Sequence, residues 1–293
     1  MSVDQHNWDV KRLNKLHKRI PNKTENGACL NRHDGGRTQQ GKGYLKAHSC
    51  NHRWQAFKKA VQGRIYNWPA YQPIAGTRLV MVARTRSGTR QVTVPDGRTK
   101  GWDIKASGEN FRTSCNKPYW HESHHIVPNN VLKTCIAKKA KGSKLQVKYI
   151  RMIRGGLLKE KYNLNHKINM INLPMDRRIA RALKLPRHRL TAEHRSHATY
   201  SDHVKKELNA ILAPVQEIVM DKHKTEVPDY TACKAAIERL SDTLYDKIRK
   251  AGELMASGKM DGDALDQIPE SHLSGSAPVG KPKGSMGKIQ KLS

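Results

Sequence analysis

The chain has few aromatic residues, few cysteines and few acidic groups, and each shortage argues against a class of protein. Aromatic residues make up 5% of the 293 positions, with two Phe, which disfavours a protein that stacks single-stranded bases on aromatic side chains. The five cysteines are odd in number and lack repeated CxxC spacing, which argues against a disulfide scaffold and fits a reducing compartment.

Long apolar runs are also missing. No stretch approaches the roughly 18 consecutive apolar residues of a membrane-spanning helix. Residues 1–20 are polar and charged, unlike a secretory signal with its apolar centre. We therefore expect a protein made in the cytoplasm, without a membrane partner, whose export would use a signal-independent route.

Basic residues are abundant instead. Lys and Arg number 55 against 25 Asp and Glu, giving a net charge of +30. Such an excess favours a polyanionic partner, most commonly nucleic acid, with an anionic membrane as the main alternative. Residues 1–120 carry a net +16, residues 121–212 a net +14, and residues 213–293 a net zero. The polyanion-facing surface is therefore expected to end near residue 212.

Possible metal ligands crowd the basic N-terminal region. A structural zinc ion needs four nitrogen or sulfur ligands, and the spacing here matches no standard zinc finger. The sequence therefore leaves two alternatives open, a structural zinc ion near Cys29 and Cys50 or a set of unconnected residues. The ligand types present are Cys29, His33, His48, Cys50 and His52.

Residues 77–105 are typical of β-structure. Two β-rich runs flank the turn dipeptide Ser87-Gly88, which predicts a hairpin, and a third strand is expected through Trp102.

Helical periodicity dominates the C-terminal half. Apolar residues from Tyr200 to Leu212 predict a helix that Pro214 interrupts, and a second amphipathic helix is expected from Cys233 to Ile248. Beyond Ser257 the polar composition indicates a flexible tail. The neutral segment 213–256 is expected to pack on the preceding domain or to dock a partner such as a secretion carrier, adaptor or immunity protein.

The strongest functional signal is an ordered set of three blocks. Ser123-His124-His125-Ile-Val-Pro128 comes first, Asn169-x-x-x-Leu-Pro174 follows, and His194-x-x-His197-x-x-Tyr200 leads into the predicted helix. Adjacent residues of a strand point to opposite sides. One histidine of the doublet can therefore face a metal ion while the other, with a pKa near neutrality, acts as a general base.

These blocks resemble the AHH subgroup of the HNH/endonuclease VII (ββα-metal) nucleases, over about residues 115–212. The family pattern has a small residue, usually Ala, where this chain has Ser123. The resemblance implies an α+β protein with a ββα-metal nuclease core, a β-rich N-terminal region and a C-terminal helical segment. The expected divisions are 1–110, 111–212 (the nuclease domain), 213–256 (helical) and 257–293 (tail).

The resemblance also implies roles for individual residues. His124 would bind the metal ion and His125 would be the general base, oriented by Asn169. His197 would be the second metal ligand, and His194 a third ligand or a phosphate contact. The ion would be divalent, with Mg²⁺ favoured over Mn²⁺, Ni²⁺ or Zn²⁺, and cleavage would leave a 5′-phosphate and a free 3′-hydroxyl.

Several other residues near the blocks have ordinary interpretations. Glu122 is expected to be a solvated side chain, and His166 and His188 to be surface residues or phosphate contacts. Tyr200 is equally consistent with a packing role and a functional one. Two basic runs are expected to track the phosphate backbone. The residues concerned are Lys138, Lys139, Lys141, Arg151 and Arg154.

The resemblance further implies a biological setting. Domains of this subgroup form the toxic end of bacterial polymorphic toxins and of type VI secretion effectors, which a cognate immunity protein neutralises. We therefore expect a metal-dependent, non-specific DNA endonuclease that acts as an antibacterial toxin in a target cell. The alternatives are an RNase on the same scaffold, a non-enzymatic zinc-containing nucleic-acid-binding protein, and a mobile-element or phage endonuclease with a defined target.

Overall fold

A computed structural model of the chain describes most of it. The described residues are 13, 16–31, 47–74, 81–85, 88–92, 118–138, 140–142, 144–190, 197–221 and 226–274. Several sequence predictions lie outside these residues, namely those for His33, Lys139, His194, the third strand at Trp102 and the tail over residues 275–293.

Helices and short strands alternate along the chain, which makes the protein α+β, as expected. The α-helices are α1 (His52–Gln62), α2 (Trp68–Tyr71), α3 (Asn129–Lys138), α4 (Gln146–Lys159), α5 (Arg177–Leu183), α6 (Ala198–Met220), α7 (Tyr230–Ala256) and α8 (Glu270–Leu273). The strands are β1 (Met81–Thr85), β2 (Gly88–Val92), β3 (His121–His125) and β4 (Met170–Pro174). Short 3₁₀ turns cover Gln72–Ile74, Lys167–Asn169 and Leu265–Gln267.

The predicted hairpin is present. Strands β1 and β2 pair antiparallel, and Thr85 lies opposite Gly88 across the turn. The prediction of a hairpin within residues 77–105 is therefore confirmed.

A second two-stranded sheet contains the histidine doublet. Strands β3 and β4 pair antiparallel, with His124 opposite Ile171 and His125 opposite Met170, and helices α3 and α4 lie between them in the chain. All five residues of β4 are buried, as expected for an apolar strand covered on both faces. The doublet is therefore fixed against the interior of the protein.

Helix α6 continues past Pro214, so the prediction that this proline ends the helix was wrong. Pro214 removes one helical hydrogen bond, but it lies at an exposed position, where water can replace the missing partner. Buried apolar residues continue the same face on both sides of it, through Leu212, Val215 and Val219. Packing of this face outweighs the local cost of the proline.

Helix α7 and the residues after it belong to the main hydrophobic core. The buried face of α7 includes Ile237, Leu244 and Ile248, which confirms the predicted amphipathic helix and its packing on the rest of the protein. The flexible tail expected from Ser257 was wrong for residues 257–274. Buried side chains anchor this stretch, namely Ala264, Leu265, Ile268 and Leu273.

Among the helices in the described ranges, none combines the length and the apolar character that crossing a membrane requires.

Candidate metal and nucleic-acid site

Three imidazole rings converge at the end of the β3–β4 sheet. His124 Nδ1 lies 3.1 Å from His188 Nε2, and His197 Nε2 lies 3.3 Å from the same atom. We call His124, His188 and His197 the imidazole cluster. His124 and His188 are buried and His197 is partly exposed, so the cluster lies just below the protein surface.

Each ring of the imidazole cluster comes from a different structural element. His124 is the fourth residue of β3, and His197 is the residue before the first turn of α6. His188 lies in the loop after α5, where its backbone N–H donates to the Pro174 carbonyl at the end of β4 (2.9 Å). Residues 64 positions apart are therefore brought together by the sheet and the helix.

The C-terminal stretch supports this loop. Arg187 and Ala264 form a β-bridge, and the Arg187 guanidinium pairs with Asp263. The backbone N–H of Tyr200 donates to Asp266 Oδ1 (3.2 Å), which fixes the first turn of α6 beside His197. Residues that sequence composition assigns to a tail thus hold two of the three imidazoles in place.

The spacing of the three nitrogens suits a metal ion. Imidazole nitrogens bind Zn²⁺ at about 2.0–2.1 Å, which puts two ligands of a tetrahedral site about 3.3 Å apart. The observed separations are 3.1 and 3.3 Å. Within the described residues, His124 Nε2 and His197 Nδ1 are buried without a hydrogen-bond partner. These are the nitrogens on the far side of the two rings, so the spacing of the three convergent nitrogens, and not this burial, is what suits a cation.

Burial also keeps two of the rings in their metal-binding form. It lowers the pKa of His124 well below its usual value, and the neighbouring rings of His197 and His188 lower it further. Burial and His188 lower the pKa of His197 to about 4. Both rings are therefore neutral at physiological pH, with lone pairs available for a cation.

Glu122 and Arg189 lie beside the imidazole cluster, which corrects the expectation that Glu122 is a solvated side chain. Glu122 Oε2 lies 2.8 Å from His188 Nδ1 and 2.7 Å from an Arg189 nitrogen. Against the effect of burial, these two contacts lower the pKa of Glu122 to about 2. A carboxylate beside the far nitrogen of a metal-binding imidazole orients the ring and makes it a better ligand.

His125 is held by an asparagine. Its Nε2 lies 2.9 Å from Asn165 Oδ1, and Asn165 Nδ2 donates to the Asn31 carbonyl (2.8 Å). Because a carbonyl only accepts, the Asn165 amide is fixed with its oxygen towards His125. The His125 Nε2 therefore carries the proton, and the ring's lone pair is on Nδ1, the atom able to accept a proton from a water molecule.

A second ring supports His125. The imidazole of His52, in the first turn of α1, stacks on the His125 ring with 5.3 Å between centroids and 25° between planes. The N-terminal region is thus in direct contact with the candidate base. Sequence analysis had grouped His52 with the zinc candidates, whereas the structure places it against His125.

The expectation that Asn169 orients His125 was wrong, because the Asn169 side chain bonds to other groups. The side chain of Asn169 accepts from the Val127 N–H (2.7 Å) and donates to the Val127 and Leu164 carbonyls (3.2 and 2.8 Å). It also accepts from the Ser241 hydroxyl (3.0 Å). Asn169 therefore braces the turn after β3 against α7, whereas the side chain in contact with the His125 ring is that of Asn165.

Tyr200 has a structural role at the same turn. Its ring is fully buried, and its hydroxyl donates to the Ile126 carbonyl (2.7 Å). This bond ties the first turn of α6 to the residue after His125.

The basic residues expected to contact phosphates divide into two groups. Lys138, Lys141 and Arg151 are exposed on α3, the following turn and α4, where they can meet a polyanion. Arg154 is only 2% exposed and donates to Asn31 Oδ1 (3.2 Å). The prediction of a phosphate contact was wrong for Arg154, because its guanidinium is buried and bonds to Asn31 inside the protein.

A second group of potential metal ligands lies in the N-terminal region. One ligand atom each of His17, Cys29 and Cys50 lies within 4.8 Å of the others, and we call these residues the thiol cluster. Cys50 Sγ lies 3.7 Å from His17 Nε2. Contact with Cys29 and with the rings of His17 and His48 outweighs burial and holds the pKa of the Cys50 thiol well below its usual range.

The candidate site includes His188, Asn165 and Arg189, which the sequence does not identify as functional. His188 was taken for a surface residue, although its position between the second and third blocks was a weak signal. Asn165 had no signal of its own, because nothing in a sequence shows which of several asparagines meets a given ring.

No family model matches the chain, and neither a curated protein nor a solved structure was found to be similar to it.

Proposed function

We propose that the protein is a metal-dependent nuclease of the ββα-metal type that hydrolyses phosphodiester bonds of DNA. One observation carries the proposal. The rings of His124, His188 and His197 converge on one point. His125 follows His124 on β3, and its hydrogen bond to Asn165 leaves Nδ1 as the nitrogen that accepts a proton. His124 and His125 lie on β3, which pairs with β4, and His197 directly precedes α6. The resemblance implies two strands and a helix at such a site, to which the loop after α5 adds His188.

The ligand set bears on the identity of the ion. Mg²⁺ prefers oxygen ligands and retains several water molecules, and Mn²⁺ also prefers oxygen, whereas imidazole nitrogens suit first-row transition ions such as Zn²⁺ and Ni²⁺. We therefore prefer one of these to the Mg²⁺ expected at first. A divalent ion held here would act as a Lewis acid on the phosphoryl oxygens and would stabilise the leaving 3′-oxygen.

The chain's own residues supply the remaining chemistry. His125 Nδ1 takes the proton of the attacking water while its Nε2–H stays bonded to Asn165, so the ring keeps its orientation as it becomes charged. Glu122 fixes the His188 ring through one contact and pairs with the Arg189 guanidinium through another. Arg189 adds a positive charge beside the cluster, which favours the negative charge that develops on the phosphate.

The exposed basic residues support a nucleic-acid substrate without base specificity. Lys138, Lys141 and Arg151 are long, exposed cations, and such side chains bind phosphates with an affinity that falls as salt rises. The antibacterial toxin role and the neutralising immunity protein belong to the same proposal and rest on the resemblance.

The experiment compares the full chain with its His125→Ala variant on supercoiled plasmid and on total RNA, with Mn²⁺, Zn²⁺ or Mg²⁺ and with EDTA. We expect metal-dependent loss of plasmid and a fall of about 100-fold or more in the variant, since a positioned base contributes that much. His272→Ala serves as a control, because this ring on α8 bonds to the Lys247 carbonyl.

Three results would count against the proposal. Cleavage by His125→Ala at the wild-type rate would show that His125 is not the general base. Undiminished cleavage in EDTA would show that the reaction needs no metal ion. Cleavage of RNA with intact plasmid would replace the DNase with the RNase alternative.

A further inference from the structure

The thiol cluster has the composition of a structural zinc site. Two sulfur ligands and one imidazole are borderline-soft ligands of the kind that Zn²⁺ takes in closed sites. In a tetrahedral site with Zn–S of about 2.3 Å and Zn–N of about 2.0 Å, a sulfur and a nitrogen lie about 3.6 Å apart. Cys50 Sγ and His17 Nε2 are 3.7 Å apart. The two cysteines are fully buried, which is typical of closed sites.

We propose that His17, Cys29 and Cys50 hold a structural zinc ion, with His48 as the candidate for the fourth ligand. His48 is buried, and its ring contacts the Cys50 thiol. The His48 Nδ1 accepts the Cys50 backbone N–H (3.2 Å), which orients the ring beside the cluster. On binding, zinc displaces the thiol protons to solvent and no redox change occurs.

The ion would join separate stretches of chain behind the catalytic base. Cys29 bridges to Asn163, and the Leu164 N–H donates to the Cys29 carbonyl (2.7 Å). The next residue, Asn165, is the one that holds His125. Two residues after Cys29, the Asn31 carbonyl receives the second bond of the Asn165 amide. Cys29 thus lies close in the structure to both Asn165 and the Asn31 carbonyl that Asn165 contacts.

Cys50 is linked to the other support of His125, the stacked ring of His52. It lies directly before Asn51, whose side chain caps α1, and His52 in the first turn stacks on His125. A zinc ion bound to Cys29 and Cys50 would therefore fix the two supports of His125 relative to each other. This consequence for the base rests on the proposed function, whereas the zinc site itself does not.

The test counts zinc in the full chain by mass spectrometry of the metal, after purification without chelator. All variants carry His188→Ala, which disables the imidazole cluster, so the count reports on the thiol cluster alone. We expect one zinc per chain in His188→Ala and none when Cys50→Ser is added. Cys135→Ser is the matched control, since Cys135 is also buried but lies on α3, and it should retain the ion.

A second measurement covers the case in which the Cys50→Ser chain does not fold. Cobalt substituted into the His188→Ala chain should give the intense near-ultraviolet absorption of thiolate-to-metal charge transfer. The proposal is overturned if the His188→Ala chain holds no zinc, if Cys50→Ser retains it, if the cobalt chain lacks the thiolate absorption, or if Cys29 and Cys50 are found as a disulfide. None of these readouts depends on cleavage, so an inactive protein with one bound zinc would overturn only the nuclease proposal.

Discussion

The two clusters of potential metal ligands differ in composition and surroundings, although each has two buried residues and one partly exposed histidine. The imidazole cluster has nitrogen ligands only, one of them partly exposed, with Glu122 and Arg189 beside it. The thiol cluster combines two fully buried cysteines with one histidine and is surrounded by backbone hydrogen bonds. Structural zinc sites commonly combine cysteine with histidine, whereas catalytic ones include sites with three histidines. The difference in ligands therefore fits the proposed cleavage chemistry at the imidazole cluster and the proposed structural zinc ion at the thiol cluster.

The clusters also depend on different parts of the chain. The imidazole cluster is braced by the C-terminal stretch through Asp263 and Asp266. The thiol cluster is braced by the bridge between Cys29 and Asn163. His125 lies between the two systems, because Asn165 and His52 link it to the N-terminal region. The variants below test whether these two roles can be separated.

The largest effect is expected from His188→Ala. The substitution removes one of three metal ligands and leaves Glu122 without its imidazole partner. We expect plasmid cleavage to fall by at least about 100-fold, since even indirect metal partners cost 10–100-fold. The measurement is the initial rate of plasmid nicking at saturating metal. The zinc in the thiol cluster should remain.

His166→Ala is the matched control, because sequence analysis treated His166 and His188 alike. His166 pairs with Glu25 at a partly exposed site, and its loss should change the cleavage rate by less than a few-fold. If His188→Ala cut plasmid at the wild-type rate, the imidazole cluster would not be the catalytic one.

Smaller effects are expected from substitutions of two asparagines, one acting on the cleavage rate and the other on stability. Asn165→Ala removes the partner of His125, and we expect cleavage to slow by about 10–100-fold. Asn169→Ala leaves buried backbone groups at Val127 and Leu164 unpaired, and we expect the free energy of unfolding to fall by about 3 kcal/mol. Cleavage kinetics and thermal unfolding of both variants separate the two roles.

Asn165→Asp tests whether Asn165 acts on the protonation of His125 or only on the structure. The carboxylate keeps an acceptor for His125 Nε2 and favours the charged ring. We expect it to restore part of the rate and to move the acidic limb of the pH–rate profile to higher pH. A purely structural Asn165 would show neither effect, and an Asn169→Ala chain that lost activity without losing stability would reverse the two assignments.

The sequence was sufficient for the features that depend on local pattern. The amphipathic α7 follows from apolar periodicity, and the importance of the doublet His124-His125 follows from the order of the three blocks, whereas the strand pair that carries it was implied only by the resemblance. His188 and Asn165 could not be found this way, because their roles depend on side chains more than 39 positions distant in the chain. Burial of polar residues has no periodic signal.

The same limit explains the errors at the C-terminal end. Residues 257–274 have a polar composition, yet a few apolar anchors such as Leu265 and Leu273 are enough to fix them in the core. Pro214 was read as a helix end because its local cost is evident from sequence. The packing that offsets this cost is visible only in three dimensions.

We propose that the imidazole cluster binds the ion that phosphodiester cleavage requires. Its most direct test is X-ray absorption at the edge of whichever added ion restores plasmid cleavage to chelator-stripped protein. We predict that the signal lost in His188→Ala comes from three imidazole nitrogens without sulfur, whereas any sulfur signal from an ion in the thiol cluster remains. Loss of sulfur ligands in His188→Ala, or a spectrum that this substitution leaves unchanged, would overturn the assignment.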